Sequence, residues 1–180
     1  MKLDYIYRKK LFSLEEVKKI NKIIKKNYDS SATDVPARKK IKTAEVKVVP
    51  FEPLKKELKS LIDVIKISNQ RFFGFDLYEV LDNQLLNWNI YKKTNEVGYD
   101  WHCDRSQDHA SDIKLTVILN LSEKKHEGGQ FYLNECGVIN EISEAGDVLI
   151  FKAFMPHKVD KITYGERTTL SFWLEGPCFK

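Results

Sequence analysis

Tyr99-Asp100-Trp101-His102-Cys103-Asp104 is a short run of β-forming residues in which every second side chain shares a face. Working outward, runs of the same kind recur from residue 75 onward, separated by turn residues: Phe75–Leu81, Leu85–Tyr91, Tyr99–Asp104, Ile113–Leu121, Gln130–Leu133, Asp147–Phe151, His157–Ile162 and Glu166–Leu174. Strands packed this densely predict a β-sandwich or barrel and exclude a doubly wound α/β plan. The N-terminal part reads differently. Ser13-Leu14-Glu15-Glu16 has the form of a capping box, and Leu14, Val17, Ile20 and Ile24 recur at helical spacing, predicting a helix over about 14–27. A second helix is expected near Pro53, with Leu54, Leu58, Leu61, Ile62 and Ile65 as its apolar stripe. Both stripes are expected to pack on a sheet. The polar stretch from Tyr28 to Thr43 reads as a surface loop, with 29–43 a candidate lid.

Composition sets the outer bounds. The 180 residues include 42% hydrophobic positions and 21 aromatics, which excludes a disordered chain and favours one domain, with helical support over about 1–70 and a β core over about 71–180. No apolar run approaches the roughly 20 residues of a membrane span, and Met1–Lys10 is polar rather than leader-like. Of 30 basic residues only five are Arg (Arg8, Arg38, Arg71, Arg105, Arg167), so the net charge of +4 argues weakly for nucleic acid, whose recognition leans on Arg. Cys103, Cys136 and Cys178 are odd in number and widely spaced, fitting reduced thiols in a cytoplasmic protein rather than a disulfide framework.

Within the opening run, His102 and Asp104 project the same way, their bases about 6–7 Å apart. An imidazole and a carboxylate at that spacing reach one cation, and a third ligand from a neighbouring strand completes the two-histidine, one-carboxylate face that leaves positions open on ferrous iron. Among the four histidines, His102, His109, His126 and His157, the one in a second predicted strand is His157. Thr163-Tyr164-Gly165 reads as a three-residue hairpin loop that pairs His157 with Ser171 and Lys161 with Arg167. That register points His157, Arg167, Thr169, Ser171 and Trp173 inward, with Arg167 about 13 Å up the strand from the metal. A guanidinium fork suits a carboxylate, so a short diacid fits the gap.

The pattern resembles the iron(II)- and 2-oxoglutarate-dependent dioxygenases of the prolyl 4-hydroxylase-like branch, over roughly residues 69–177. Its core is His102-x-Asp104, His157, and Arg167 ten residues on. Tyr91 followed by Gly98, Tyr99 and His102 resembles the approach to the first ligand, with the glycine displaced by one residue. Glu127-Gly128-Gly129-Gln130-Phe131 resembles the family's E-G-G turn, Gly146-Asp147-Val148-Leu149-Ile150-Phe151 the strand before the last ligand, and Gly165-Glu166-Arg167 with Trp173 its closing strand.

The resemblance implies a mainly β fold with N-terminal helices, a double-stranded β-helix of jelly-roll or cupin-like barrel form. It implies that His102, Asp104 and His157 bind Fe(II) and that Arg167 grips the distal carboxylate of 2-oxoglutarate. Tyr91 and Ser171 are placed to hydrogen-bond that cosubstrate. Asn120 stands where many relatives carry a tyrosine for it, and Phe131, Val159 and Trp173 form apolar walls. The implied reaction hydroxylates a C–H bond with O2, releasing succinate and CO2, with ascorbate supportive and a protein or peptide side chain, or a small molecule, as substrate. Arg105, Trp101 and His109 are expected near the mouth. A nucleic-acid demethylase of the AlkB type usually has a second Arg six residues after the first, where Trp173 stands here. A non-catalytic cupin-like module, or a zinc hydrolase, leaves Arg167 without a purpose.

Overall fold

The computed structural model describes residues 3–29, 44–93, 98–104, 111–134 and 136–179. The capping box forms as expected: the Ser13 amide donates to Glu16 Oε2 at 2.7 Å and the Glu16 amide to Ser13 Oγ at 3.3 Å. It starts α1 (Leu14–Asn27), which buries Val17, Ile20 and Ile24. Pro53 falls in a 3₁₀ turn (Glu52–Leu54), and α2 itself runs over Lys59–Ser68 before widening into a π-helical turn (Asn69–Phe73). The expected stripe survives this division, with Leu54, Leu58, Leu61 and Ile65 all buried.

The strands are β1 (Tyr5–Arg8), β2 (Glu45–Pro50), β3 (Leu85–Lys92), β4 (Tyr99–His102), β5 (Asp112–Asn120), β6 (Glu127–Gly128), β7 (Phe131–Leu133), β8 (Gly137–Ile139), β9 (Val148–Lys152), β10 (His157–Val159), β11 (Ile162–Tyr164) and β12 (Glu166–Gly176). Six form an antiparallel major sheet in the order β1-β9-β5-β12-β3-β2, and four form a minor sheet in the order β4-β10-β7-β8. β6 and β11 make a two-stranded ribbon. Among the described residues these sheets do not close into a barrel; they face one another.

Strand alternation sorts the core into two layers. One face of the major sheet sends Leu86, Trp88, Ile90, Leu115, Val117, Leu119, Val148, Ile150, Leu170 and Phe172 into a cluster with the helix stripes. The other face sends Tyr91, Ile118, Leu149 and Phe151 against Phe131, Leu133, Ile139 and Val159 of the minor sheet. The second layer is where the site lies.

Three local expectations need correction. Phe75–Leu81 forms no strand and joins no ladder; its Tyr78 amide donates to the Glu175 carbonyl at 2.8 Å. The expected strand His157–Ile162 is split into β10 and β11, and its pairing with β12 does not form. β10 instead pairs with β4 and β7, while β12 lies between β3 and β5, with Arg167 opposite Tyr91 and Ser171 opposite both Asn87 and Ile118. The reason is burial: β12 is apolar on alternate positions and nearly covered on both faces, so a central place in a six-stranded sheet removes far more surface from water than a two-stranded hairpin. Gly165 does take the expected left-handed conformation, at φ 73°, but it carries the chain from one sheet to the other. Finally, the first 70 residues are more than helical support, since β1 and β2 are the two edge strands of the major sheet. Of the candidate lid, residues 29–43, all but Asp29, which bridges to Val48, lie outside the described residues.

Gly146 and Asp147 tie β9 to the N-terminal segment. The Asp147 carboxylate, fully buried, accepts from the Lys10 amide at 2.9 Å and the Glu144 amide at 2.8 Å. Gly146 has φ 83°, and a methyl group there would overlap the Phe12 carbonyl. Gly146→Ala is therefore expected to lower stability by about 2 kcal/mol or more, combining left-handed strain with a backbone clash. Urea unfolding measures it; an unchanged midpoint would show that the Phe12 segment yields freely.

Candidate metal and organic-acid site

His102 closes β4 and His157 opens β10, and the two are direct Cα partners across the minor sheet. Their rings lie 4.1 Å apart between centroids. Asp104 follows just past the strand, its amide held by the Ala153 carbonyl at 3.0 Å. One ligand atom from each of the three residues falls within 4.8 Å of the others, and His157 Nε2 is 3.6 Å from Asp104 Oδ2.

The surroundings fix how these groups present themselves. His157 Nδ1 donates to the Met155 carbonyl at 2.9 Å and His102 Nδ1 to the Asp100 carbonyl at 2.6 Å, so each ring carries its lone pair on Nε2. Tyr99 stacks on His102 at 3.5 Å, and Phe131 and Phe151 pack around His157. Burial pushes the His157 imidazole below its usual pKa, against the opposing pull of the Asp104 carboxylate. It is therefore neutral near pH 7, the state that ligates a metal. Asp104 Oδ2 accepts from Thr116 Oγ1 at 2.7 Å, which aims the carboxylate from the major sheet. Two imidazoles, each with its Nδ1 held by a backbone carbonyl, and one anchored carboxylate make a donor set that fits ferrous iron with positions left open.

Arg167 enters the same space between the sheets from the centre of the major sheet. It is 2% exposed, and burial pulls its pKa below the usual arginine value, while nearby Tyr91 acts the other way. Its guanidinium carbon lies 5.4 Å from the Tyr91 ring centroid. No acid among the described residues pairs with it. Gly129, at φ 70°, lies so close that a methyl group there would reach 2.9 Å from Arg167 Cδ, which explains a glycine at that turn. A buried cation with no acid against it among the described residues favours an anion as its partner.

The other expected residues divide. Tyr91 is buried beside Arg167. Ser171 is half-buried and its hydroxyl accepts from Asn89 Nδ2 at 3.0 Å. Trp173, opposite Thr116 on β5, has a buried ring nitrogen with no partner among the described residues. Asn120 needs correction: its amide donates to the Ile142 carbonyl at 2.9 Å and accepts from the Ser122 amide at 2.9 Å. One donor and one acceptor of that side chain are held by backbone, so it first serves to tie β5 to the turn before β9. Arg105 and His109 lie outside the described residues. Thr116, Asn89 and His126 are the neighbours that sequence reasoning misses; Thr116 shares the site face by strand alternation, but nothing in its identity marks it.

Comparison with known proteins bears on the same region. Residues 86–175 match the sequence model described as the 2OG-Fe(II) oxygenase superfamily. A PKHD-type hydroxylase of Synechococcus sp. (strain CC9311) is 27% identical over 124 residues, covering 68% of this chain and 54% of that protein, so the match spans about half of the relative's length. The fold is shared with a Pseudomonas putida prolyl-4-hydroxylase, at TM-score 0.71 and 19% identity over 97% of this chain and 94% of the other. It is shared also with a Trichoplax adhaerens prolyl hydroxylase in complex with a hypoxia inducible factor oxygen degradation domain peptide fragment, at TM-score 0.67 and 17% identity over 95% and 83%.

Thr116→Val removes the hydroxyl that aims Asp104 while keeping the side chain's shape. It is expected to weaken Mn(II) or Co(II) binding roughly ten- to a hundredfold, whereas Cys103→Ala leaves it unchanged. Metal titration of the purified protein reads both, and an unaltered affinity in Thr116→Val would remove the hydroxyl from any role at the site.

Proposed function

The chain belongs to the 2OG-Fe(II) oxygenase superfamily, and from that premise we propose that it hydroxylates a C–H bond of a protein or peptide side chain, converting 2-oxoglutarate and O2 to succinate and CO2. The observation that carries this reading is the meeting of the His102, Asp104 and His157 donor set with a buried Arg167, which pairs with no acid among the described residues, between the same two sheets. A zinc hydrolase needs the first and has no use for the second.

In this reading His102, Asp104 and His157 hold Fe(II), which supplies oxygen activation when bound. Arg167 takes the distal carboxylate of 2-oxoglutarate, and Ser171 and Tyr91 flank the cosubstrate. Phe131, Phe151 and Val159 keep the cavity dry, which strengthens the guanidinium–carboxylate attraction and limits wasteful side reactions. No side chain serves as nucleophile or general base. The protein's work is orientation of metal and cosubstrate and exclusion of water.

A polypeptide substrate is supported by the Trichoplax structure, which holds a peptide fragment. A cytoplasmic setting agrees with the unbridged Cys103, Cys136 and Cys178, and ascorbate would serve as the supporting reductant. No helix among the described residues is long and apolar enough to cross a membrane. Trp173, in place of a second Arg, weighs against a nucleic-acid demethylase.

The test is succinate release by the Fe(II)-loaded protein with 2-oxoglutarate and ascorbate, against peptides, free amino acids and oligonucleotides. A peptide that stimulates release and gains one oxygen atom supports the proposal; stimulation by oligonucleotides alone refutes the substrate class. Arg167→Ala is expected to weaken 2-oxoglutarate binding by about 1.5–3 kcal/mol, roughly ten- to a hundredfold, with metal binding retained. Equal affinity in the two proteins would take Arg167 out of the cosubstrate pocket.

A further inference from the structure

His126 precedes the Glu127-Gly128-Gly129 turn and is half-buried against the start of β12: a methyl group on Gly165 would lie 3.3 Å from His126 Cα. Both of its ring nitrogens are shut off from solvent, and neither has a hydrogen-bond partner among the described residues. The Gly128 backbone is near enough to act on the ring's charge but falls outside hydrogen-bonding geometry. Leaving a buried polar group unpaired is costly, and such groups in folded proteins call for an explanation. Gly165, against which His126 packs, is two residues before Arg167, and the Arg167 stem passes Gly129, three residues after His126; burial, and then the positive charge of Arg167, push the imidazole below its usual pKa, which keeps it neutral near pH 7.

Two neighbouring buried groups, one guanidinium and one imidazole, thus offer N–H donors into a region where no described acid faces Arg167. We propose that His126 is a second recognition residue for the organic acid, its imidazole N–H donating to the same distal carboxylate that Arg167 holds. A carboxylate has about four lone-pair positions, and a guanidinium fork fills at most two of them in one plane, so an imidazole donor from the β6 side is complementary rather than redundant. The Gly128 and Gly129 turn brings both donors together: Gly129 admits the Arg167 stem, and His126 sits immediately before the turn. The ligand class follows from the donors. A 2-oxo acid with a second, distal carboxylate satisfies both, whereas a 2-oxo monoacid of the same length leaves both unsatisfied and is rejected for that reason.

This inference rests on the 2-oxoglutarate reading above, and the experiment separates the two. The full chain, loaded with Mn(II), is titrated with 2-oxoglutarate and with 2-oxopentanoate, which has the same carbon count and no distal carboxylate. His126→Phe is expected to weaken 2-oxoglutarate binding about tenfold or more while leaving Mn(II) affinity and the weak binding of 2-oxopentanoate unchanged. His126→Gln, which restores a donor, is expected to stay within about threefold of the parent protein. Unaltered 2-oxoglutarate affinity in His126→Phe overturns the proposal, as does equal weakening of both acids, which would mark a distorted pocket rather than a lost donor. Failure of the Mn(II)-loaded parent protein itself to bind 2-oxoglutarate overturns the functional reading and this inference with it.

Discussion

A guanidinium buried between two apolar sheets, with no described acid against it, is the constraint around which this molecule is arranged. Removing such a cation from water costs several kcal/mol even after relaxation. The Tyr91 ring offsets part of that through its face, an interaction of at most about 2 kcal/mol. The remainder is met by the rest of the fold. β12, which carries Arg167, lies in the middle of six strands and buries Leu170, Phe172 and Leu174 beneath the helices. That anchoring keeps the arginine stem from swinging out to solvent. What the protein retains in exchange is a preformed, strongly attractive place for an anion, because every electrostatic interaction gains strength where water is excluded.

The metal face is built on the opposite logic. Its groups are made neutral or aimed by their neighbours. Burial keeps His157 uncharged, backbone carbonyls at Met155 and Asp100 decide which ring nitrogen carries the proton, and Thr116 reaches across from the major sheet to turn the Asp104 carboxylate. The aromatic packing of Phe131 and Phe151 about His157 fixes the ring's plane. Local backbone geometry, rather than a further layer of charged residues, does most of the orienting.

Much of this is legible in the sequence, and what is not has a physical cause. Alternation in Tyr99–Asp104 places His102 and Asp104 on one face because the two-residue period is local and nearly context-free. The capping box at Ser13 and the apolar stripes of the helices are legible for the same reason. Partner choice is not local. Thr163-Tyr164-Gly165 carries a genuine turn signal, yet β12 rejects its sequence neighbour in favour of β3 and β5, since that placement covers both its faces. β2 falls outside the strands expected from residue 75 onward, although Glu45-Val46-Lys47-Val48-Val49 alternates as a half-buried strand does. Tyr5–Arg8 is too short to stand out before its partner β9 is known. Asn120 shows the limit of motif alignment: the position faces the expected side, but an amide makes hydrogen bonds that a tyrosine would not, and here they go to the backbone of Ile142 and Ser122. His126 and Thr116 have no sequence signature at all, because their significance lies in which strand folds against them.

The division of labour between sheets carries a consequence for stability. The histidines belong to the minor sheet, at β4 and β10, whereas Arg167 belongs to the major sheet, and within the described strands β1–β12 no hydrogen-bonded ladder joins the two. They are held together by the apolar layer of Ile118, Phe131, Leu133, Leu149, Phe151 and Val159 and by single contacts such as Thr116 to Asp104. A dicarboxylate gripped by the metal at one end and by Arg167 at the other would cross-link the layers through the weakest direction of the fold. By mass action, ligand at a hundred times its dissociation constant adds about 2.7 kcal/mol to stability. Metal alone engages one sheet and the short segment after it, so its stabilisation should leave sheet separation largely untouched. Hydrogen exchange distinguishes the two effects: the metal-loaded protein should gain protection mainly at β4 and β10, and addition of 2-oxoglutarate should extend it to β12 and β3. Protection confined to the minor sheet in both states would mean that the organic acid does not bridge the layers.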